Sequence, residues 1–137
     1  MEVPKLENIE FEKEYVVKDE HTAKFLGSGD VDVLSTPAMI LFMENTARLS
    51  VQDKLPEGLT TVGTHVDVRH LRPAPKGAKI RVKAKLIKQE GRKLIFEVEA
   101  YWNQELIGKG IHERYIVHRE KFLNKVRKMI KAHGSKE

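Results

Sequence analysis

The chain of 137 residues contains no cysteine, one tryptophan, five prolines and no apolar run near the length of a bilayer. Each absence removes a class of function. Without cysteine there is no thiolate nucleophile, disulfide or cysteine-held metal, and the composition suits a reducing compartment. A membrane-spanning helix needs about 20 predominantly apolar residues, and the amino terminus lacks a signal-peptide pattern. These features lead us to expect a cytoplasmic protein with no membrane role. Charge bias is also small: 25 Lys and Arg against 20 Asp and Glu give +5. The basic residues are spread along strands and the last helix, an arrangement that suits a phosphorylated small molecule better than nucleic acid. The length fits one domain over residues 1–137.

Ser35 to Leu49, STPAMILFMENTARL, organises the rest. Thr36 can cap a helix there, and Pro37 suits a first-turn position where its missing N–H costs nothing. Six consecutive apolar residues, Ala38 to Met43, lead into Glu44. A helix this apolar should be almost wholly buried, and an unpaired carboxylate within it costs several kcal/mol, roughly. Glu44 is therefore the first candidate for chemistry. Leu55-Pro56-Glu57-Gly58 ends the helix near Lys54.

Around this helix the periodicity is that of strands. Phe11 to Val17 reads as the first, followed by a loop from Lys18 to Leu34 long enough to cover a site. From Thr60 the period is two: Val62, Thr64, Val66, Val68 and His70 share one face, while Thr61, His65, Asp67 and Arg69 share the other. His70 thus points with the valines. Ile80, Val82, Ala84 and Leu86 alternate with Lys79, Arg81, Lys83 and Lys85, and Glu90-Gly91 turns the chain into Leu94, Phe96, Val98, Ala100 and Trp102. Glu97 and Glu99 on the second strand should pair across the hairpin with those lysines. After Asn103-Gln104 comes Leu106 to Val117, where both faces are partly apolar and Gly108 and Gly110 permit close approach. Glu120 to Ala132 is a basic amphipathic helix with Phe122, Val126 and Ile130 in register, ending before Gly134, and it should pack on the sheet or a neighbouring subunit.

An antiparallel sheet with one apolar helix early in the chain buries that helix by curling around it. The fold class is therefore α+β, a hotdog arrangement with an added C-terminal helix. At the level of residues the chain resembles the hotdog acyl-CoA thioesterases, and most of all the fluoroacetyl-CoA thioesterase family. The resemblance rests on Thr36 with Glu44, Val62-Gly63-Thr64, His70 followed by Pro73 and Gly77, Glu90 to Leu94, Gly110-Ile111-His112-Glu113-Arg114 and Glu120-Lys121-Phe122. It implies hydrolysis of a small or medium acyl-CoA by a Thr, Glu and His set, falling on Thr36, Glu44 and His70. It also implies substrate-binding positions at Gly63, Thr64 and Arg114, with coenzyme A present only as part of the substrate and no metal or other cofactor. In the fluoroacetyl-CoA enzyme, the segment before the threonine carries lid phenylalanines. Here Gly27 to Leu34 has none, and Phe25 is the nearest aromatic, so the resemblance does not extend to fluoroacetyl specificity.

Bland readings stand beside these. Thr36 alone is a cap, Glu44 a satisfied polar group, His70 a core histidine, and Arg114 a strand ion-pair partner. His65 faces with Asp67 and Arg69, and both it and His112 are set aside as site residues. Arg69, Arg72, Lys76 and Lys79 either meet coenzyme A phosphates or form a solvated basic face. A hotdog hydratase or dehydratase, and a silent acyl-CoA or acyl-carrier-binding module, remain open alternatives. Helix geometry adds a constraint: eight residues place Thr36 and Glu44 roughly 12 Å apart along the axis and about 80° around it. They can serve one reaction most simply across a two-fold homodimer, or a dimer of such dimers.

Overall fold

The computed structural model describes residues 2–133. Its elements are β1 (Glu10–Val16), a 3-10 turn (Asp19–His21), α1 (Ala23–Leu26), α2 (Thr36–Gln52), β2 (Leu59–His70), β3 (Lys79–Glu90), β4 (Lys93–Trp102), β5 (Glu105–His118) and α3 (Arg119–His133). The five strands form one antiparallel sheet in the order β1-β3-β4-β5-β2, leaving β1 and β2 at its edges. The α2 helix lies on the face where Ile80, Val82, Ala84, Phe96, Val98 and Ala100 are fully buried. The alternation of β3 and β4 therefore sets the concave face as expected.

Three details depart from the sequence pattern. The α2 helix buries one side only, with Met39, Phe42, Met43, Ala47 and Val51 inward; Leu41 is 54% exposed, and Glu44 is half-buried. The carboxylate lies on the border of the apolar stripe, where water still reaches it. In β2 the pairing with β5 slips between Gly63 and His65, so Thr64 is an extra residue in a bulge. A one-residue insertion exchanges the two faces of a strand. Leu59 and Thr61 are buried before the bulge, Val68 and His70 partly buried after it, and no single face runs from Val62 to His70. The segment after β1 is not a plain loop: α1 is capped by the Thr22 hydroxyl, which accepts from the Phe25 amide at 3.2 Å, and it ends at Gly27 with φ 74°.

In β5 the structure resolves the facing, with His112, Arg114 and Ile116 turned inward. The two glycines let neighbours in. A Cβ on Gly110 would overlap the Asp67 carbonyl and Val68 of β2, and one on Gly108 would meet the Met39 thioether. The hairpin register sets Lys83 opposite Glu99 and Lys85 opposite Glu97 as expected, while the close ion pairs run to β1 on the other side, Lys83 to Glu10 at 2.8 Å and Arg81 to Glu12 at 2.6 Å. The α3 helix has no buried residue, and Phe122, Leu123, Val126, Met129 and Ile130 are each 36–61% exposed. Its expected packing on the sheet of its own chain is not made. Gly134, expected just past this helix, lies outside the described residues. Among the described residues, no helix is long and apolar enough to cross a membrane.

Candidate active site

The start of α2 brings Thr36 and His70 together. Ser35, not Thr36, is the cap: its hydroxyl accepts from the Ala38 amide at 3.1 Å, and Pro37 occupies the first turn. Thr36 is left with a side chain free of capping duty. Its Oγ1 lies 2.8 Å from Nδ1 of His70, the last residue of β2. A cleft of about 260 Å³ opens beside the pair, lined by Leu34, Thr36, His70, Leu71, Arg72 and Pro73. Burial lowers the His70 pKa from the usual imidazole value, with the Arg72 backbone partly opposing it. The ring is therefore neutral at pH 7, able to take a proton from a hydroxyl or water. The Nε2 atom is buried without a hydrogen-bond partner among the described residues.

Glu44 lies elsewhere in the same chain. One carboxylate oxygen is 3.0 Å from the point a Cβ on Gly63 would occupy, and Nη1 of Arg114 and Cε1 of His112 are each 3.4 Å from that point. Gly63 is thus the floor of a small polar site shared by α2, β2 and β5. Arg114 is 6% exposed and firmly held: Nε donates to the Thr61 hydroxyl at 2.8 Å, Nη2 to the Thr61 carbonyl at 3.1 Å and Nη1 to His112 Nε2 at 3.1 Å. Burial lowers its pKa from the usual guanidinium value, while Glu44 opposes the shift. The Thr64 side chain is exposed and donates to the Glu113 carbonyl at 3.2 Å.

Two constellations therefore exist within one chain, Thr36 with His70 and Glu44 with Gly63 and Arg114. They are separated along β2 by the run from Gly63 to His70, roughly 20 Å at about 3.3 Å per residue. The residue that strand periodicity did not single out is His112. It is 1% exposed and directly bonded to Arg114. The signal was its spacing, since residues two apart on a strand share a face. Of the basic residues considered for phosphate, Arg72 pairs with Glu105 at 3.4 Å, and Lys76 lies 3.5 Å from Asp19 and 3.8 Å from Asp32. Arg69 lines a shallow groove with Asp67, Glu97, Glu99 and Lys109.

Comparison with known proteins identifies the family. Residues 17–120 match the family described as fluoroacetyl-CoA-specific thioesterase. A fluoroacetyl-CoA thioesterase from Streptantibioticus cattleyicolor is 36% identical over 101 residues, covering 74% of this chain and 73% of the relative. The solved structure of a fluoroacetyl-CoA thioesterase mutant in complex with acetyl-CoA superposes with a TM-score of 0.82 at 31% identity, covering 88% of this chain and 95% of that one. A Thermus thermophilus thioesterase superfamily member gives 0.86 at 32% identity, over 96% of this chain and all of the other. Together with a curled antiparallel sheet on a central helix, these matches mean that the chain belongs to the fluoroacetyl-CoA-specific thioesterase family of hotdog-fold thioester hydrolases.

Proposed function

We propose that the protein hydrolyses small or medium acyl-CoA thioesters to the free acid and coenzyme A, using Thr36, Glu44 and His70. The observation that carries this reading is the 2.8 Å contact between Thr36 Oγ1 and His70 Nδ1 at the start of α2. A neutral imidazole beside a hydroxyl is the pairing that activates an oxygen nucleophile, and a helix start is where amide donors meet a developing oxyanion. In the first turn, Ser35 takes the Ala38 and Met39 amides through its hydroxyl and carbonyl, and Pro37 has none. The Thr36 amide remains for the thioester oxygen. Water is the co-substrate and coenzyme A leaves as the thiol, so the reaction calls for no metal or other cofactor.

Glu44 completes the set from a second copy of the chain. The β2 strand is a sheet edge with Val66 exposed. An antiparallel two-fold pairing of two such edges about Val66 and Asp67 sets His70 of one protomer level with Gly63 of the other. Glu44 and Arg114 then face the neighbouring Thr36, with Gly63 and Arg114 beside the acyl group. Each dimer would hold two composite sites.

Thiol release from a panel of acyl-CoAs tests the reading, comparing the parent with Glu44→Gln and His70→Ala. The expected result is turnover on short or medium chains and loss of about 10²-fold or more in each variant. Turnover that survives both changes removes the site assignment. A folded parent that binds acyl-CoA without cleaving any of them supports the silent binding module instead.

A further inference from the structure

His112 has a direction built into its hydrogen bonds. Its Nδ1 lies 2.8 Å from the His65 carbonyl, which only accepts, so Nδ1 carries the proton. On the other side, Nε2 lies 3.1 Å from Nη1 of Arg114, and a guanidinium only donates. Both bonds are satisfied at once by the neutral Nδ1–H tautomer alone. An imidazolium would turn a second donor toward Arg114 and set two cations in contact. The His65 carbonyl faces inward beside the bulge at Thr64, where β2 pairing with β5 slips by one residue. Of the groups facing the ring, Arg114 of β5 and the His65 ring of β2 disfavour its charged form, Glu44 of α2 favours it, Arg48 of α2 acts on Arg114, and from β4 the uncharged Phe96 ring stacks at 6.5 Å.

We propose that His112 is a positioning residue that, only while neutral, fixes the Arg114 guanidinium over Gly63 and opposite Glu44 to receive the acyl end of the substrate. The inference rests on the acyl-CoA reading of the site and adds a residue to it. Burial lowers the His112 pKa and Arg114 adds to this, outweighing the His65 hydrogen bond and the Glu44 charge that oppose it, so the ring keeps its acceptor at neutral pH. With His112 in place, all three Arg114 nitrogens have an acceptor, and the fork cannot swing away from Gly63. Acidification through the lowered pKa removes that acceptor and loosens the fork.

The test uses the full chain with His112→Gln, whose amide oxygen can stand where Nε2 stands, and His112→Leu, which fills space without an acceptor. Acyl-CoA kinetics are followed from pH 5 to 8 alongside melting curves, with ¹⁵N spectra of the histidine rings and arginine side chains. The expected result is a roughly tenfold rise in KM for His112→Leu with kcat within about threefold, and KM within about threefold of parental for His112→Gln. In the parent KM climbs on acidification, whereas in His112→Gln it stays flat. The His112 ring gives the Nδ1–H pattern at pH 7. Parental KM in a folded His112→Leu, equal losses in both folded variants, or an Nε2–H or doubly protonated ring at pH 7 overturns the proposal. Should His112→Leu fail to fold, the KM profile of His112→Gln and the ring spectrum decide. If the parent cleaves no acyl-CoA, the functional reading falls separately. The Arg114 side-chain signal then decides: protected in the parent and His112→Gln but exchanging in His112→Leu supports the role, and equal protection in all three overturns it.

Discussion

Ser35 and Thr36 are adjacent hydroxyl residues with divided duties: Ser35 caps α2 through the Ala38 amide, and Thr36 points its hydroxyl at His70 2.8 Å away. Their alanine variants should therefore fail in opposite ways. Ser35→Ala loses a cap worth about 1 kcal/mol and melts roughly 4 °C lower, with turnover changed less than threefold. Thr36→Ala melts near the parent and loses about 10²-fold or more in kcat. Paired melting and thiol-release measurements check this; an active Thr36→Ala would remove the hydroxyl from the reaction.

Acid should cost both activity and stability through His70. Burial lowers its pKa in the folded chain, so below the unfolded value of about 6.5 the unfolded state binds more protons. The stabilising contribution is full above about pH 6.5 and drains away as pH falls through the folded value. His112 is lowered by burial in the same direction and adds to the effect. The turnover number should show an acid limb with an apparent pKa below 6.5, measurable as kcat against pH. A limb centred above 6.5 would contradict the direction of the shift.

A composite site predicts complementation. Thr36→Ala and Glu44→Gln homodimers are each inactive, but a mixed dimer keeps one site with an intact Thr36 facing an intact Glu44. Mixing after reversible dissociation should restore about a quarter of parental activity when exchange is random, since half the dimers are hybrid and each carries one of two sites. Mixtures that stay inactive despite demonstrated exchange would place all three residues in one chain's site.

Much of this was legible in the residues. The alternation of Ile80 to Leu86 and of Leu94 to Ala100 fixed the concave face because Arg81, Lys83 and Lys85 occupy the other side of the first strand and Glu97 and Glu99 that of the second. Pro37 with its hydroxyl neighbours marked the start of α2, although spacing alone cannot say which hydroxyl caps when Ser and Thr are adjacent. The bulge at Thr64 was hidden, since an inserted residue leaves no mark in a pattern of Val, Thr and His that reads continuously. That bulge brings Thr61 inward to hold Arg114 and offers the His65 carbonyl to His112. His112 could be set aside from sequence because both faces of β5 are partly apolar. Only the contact with β2 selects one of them. That Lys83, set opposite Glu99 in the hairpin, makes its close ion pair with Glu10 is a choice between two flanking strands, which local periodicity does not encode.

The two glycines of β5 should differ in tolerance, because they meet different kinds of atoms. At Gly110 an added methyl runs into the Asp67 carbonyl and the Val68 backbone, which are fixed by the β2 to β5 ladder. At Gly108 the obstruction is the Met39 thioether, the far end of a flexible side chain, with the Arg69 carbonyl next at 3.2 Å. Methionine adapts to irregular space, whereas a ladder can yield only by breaking hydrogen bonds. Gly108→Ala is therefore expected to cost about 1 kcal/mol and Gly110→Ala about 3 kcal/mol or more, in the range of overpacked cores. Urea unfolding measures both. Since β2 carries Gly63 within it and His70 at its end, displacing it at Gly110 should also lower kcat/KM, whereas Gly108→Ala keeps the strand and its kinetics. Equal costs at the two positions would mean that β2 moves aside as easily as a methionine.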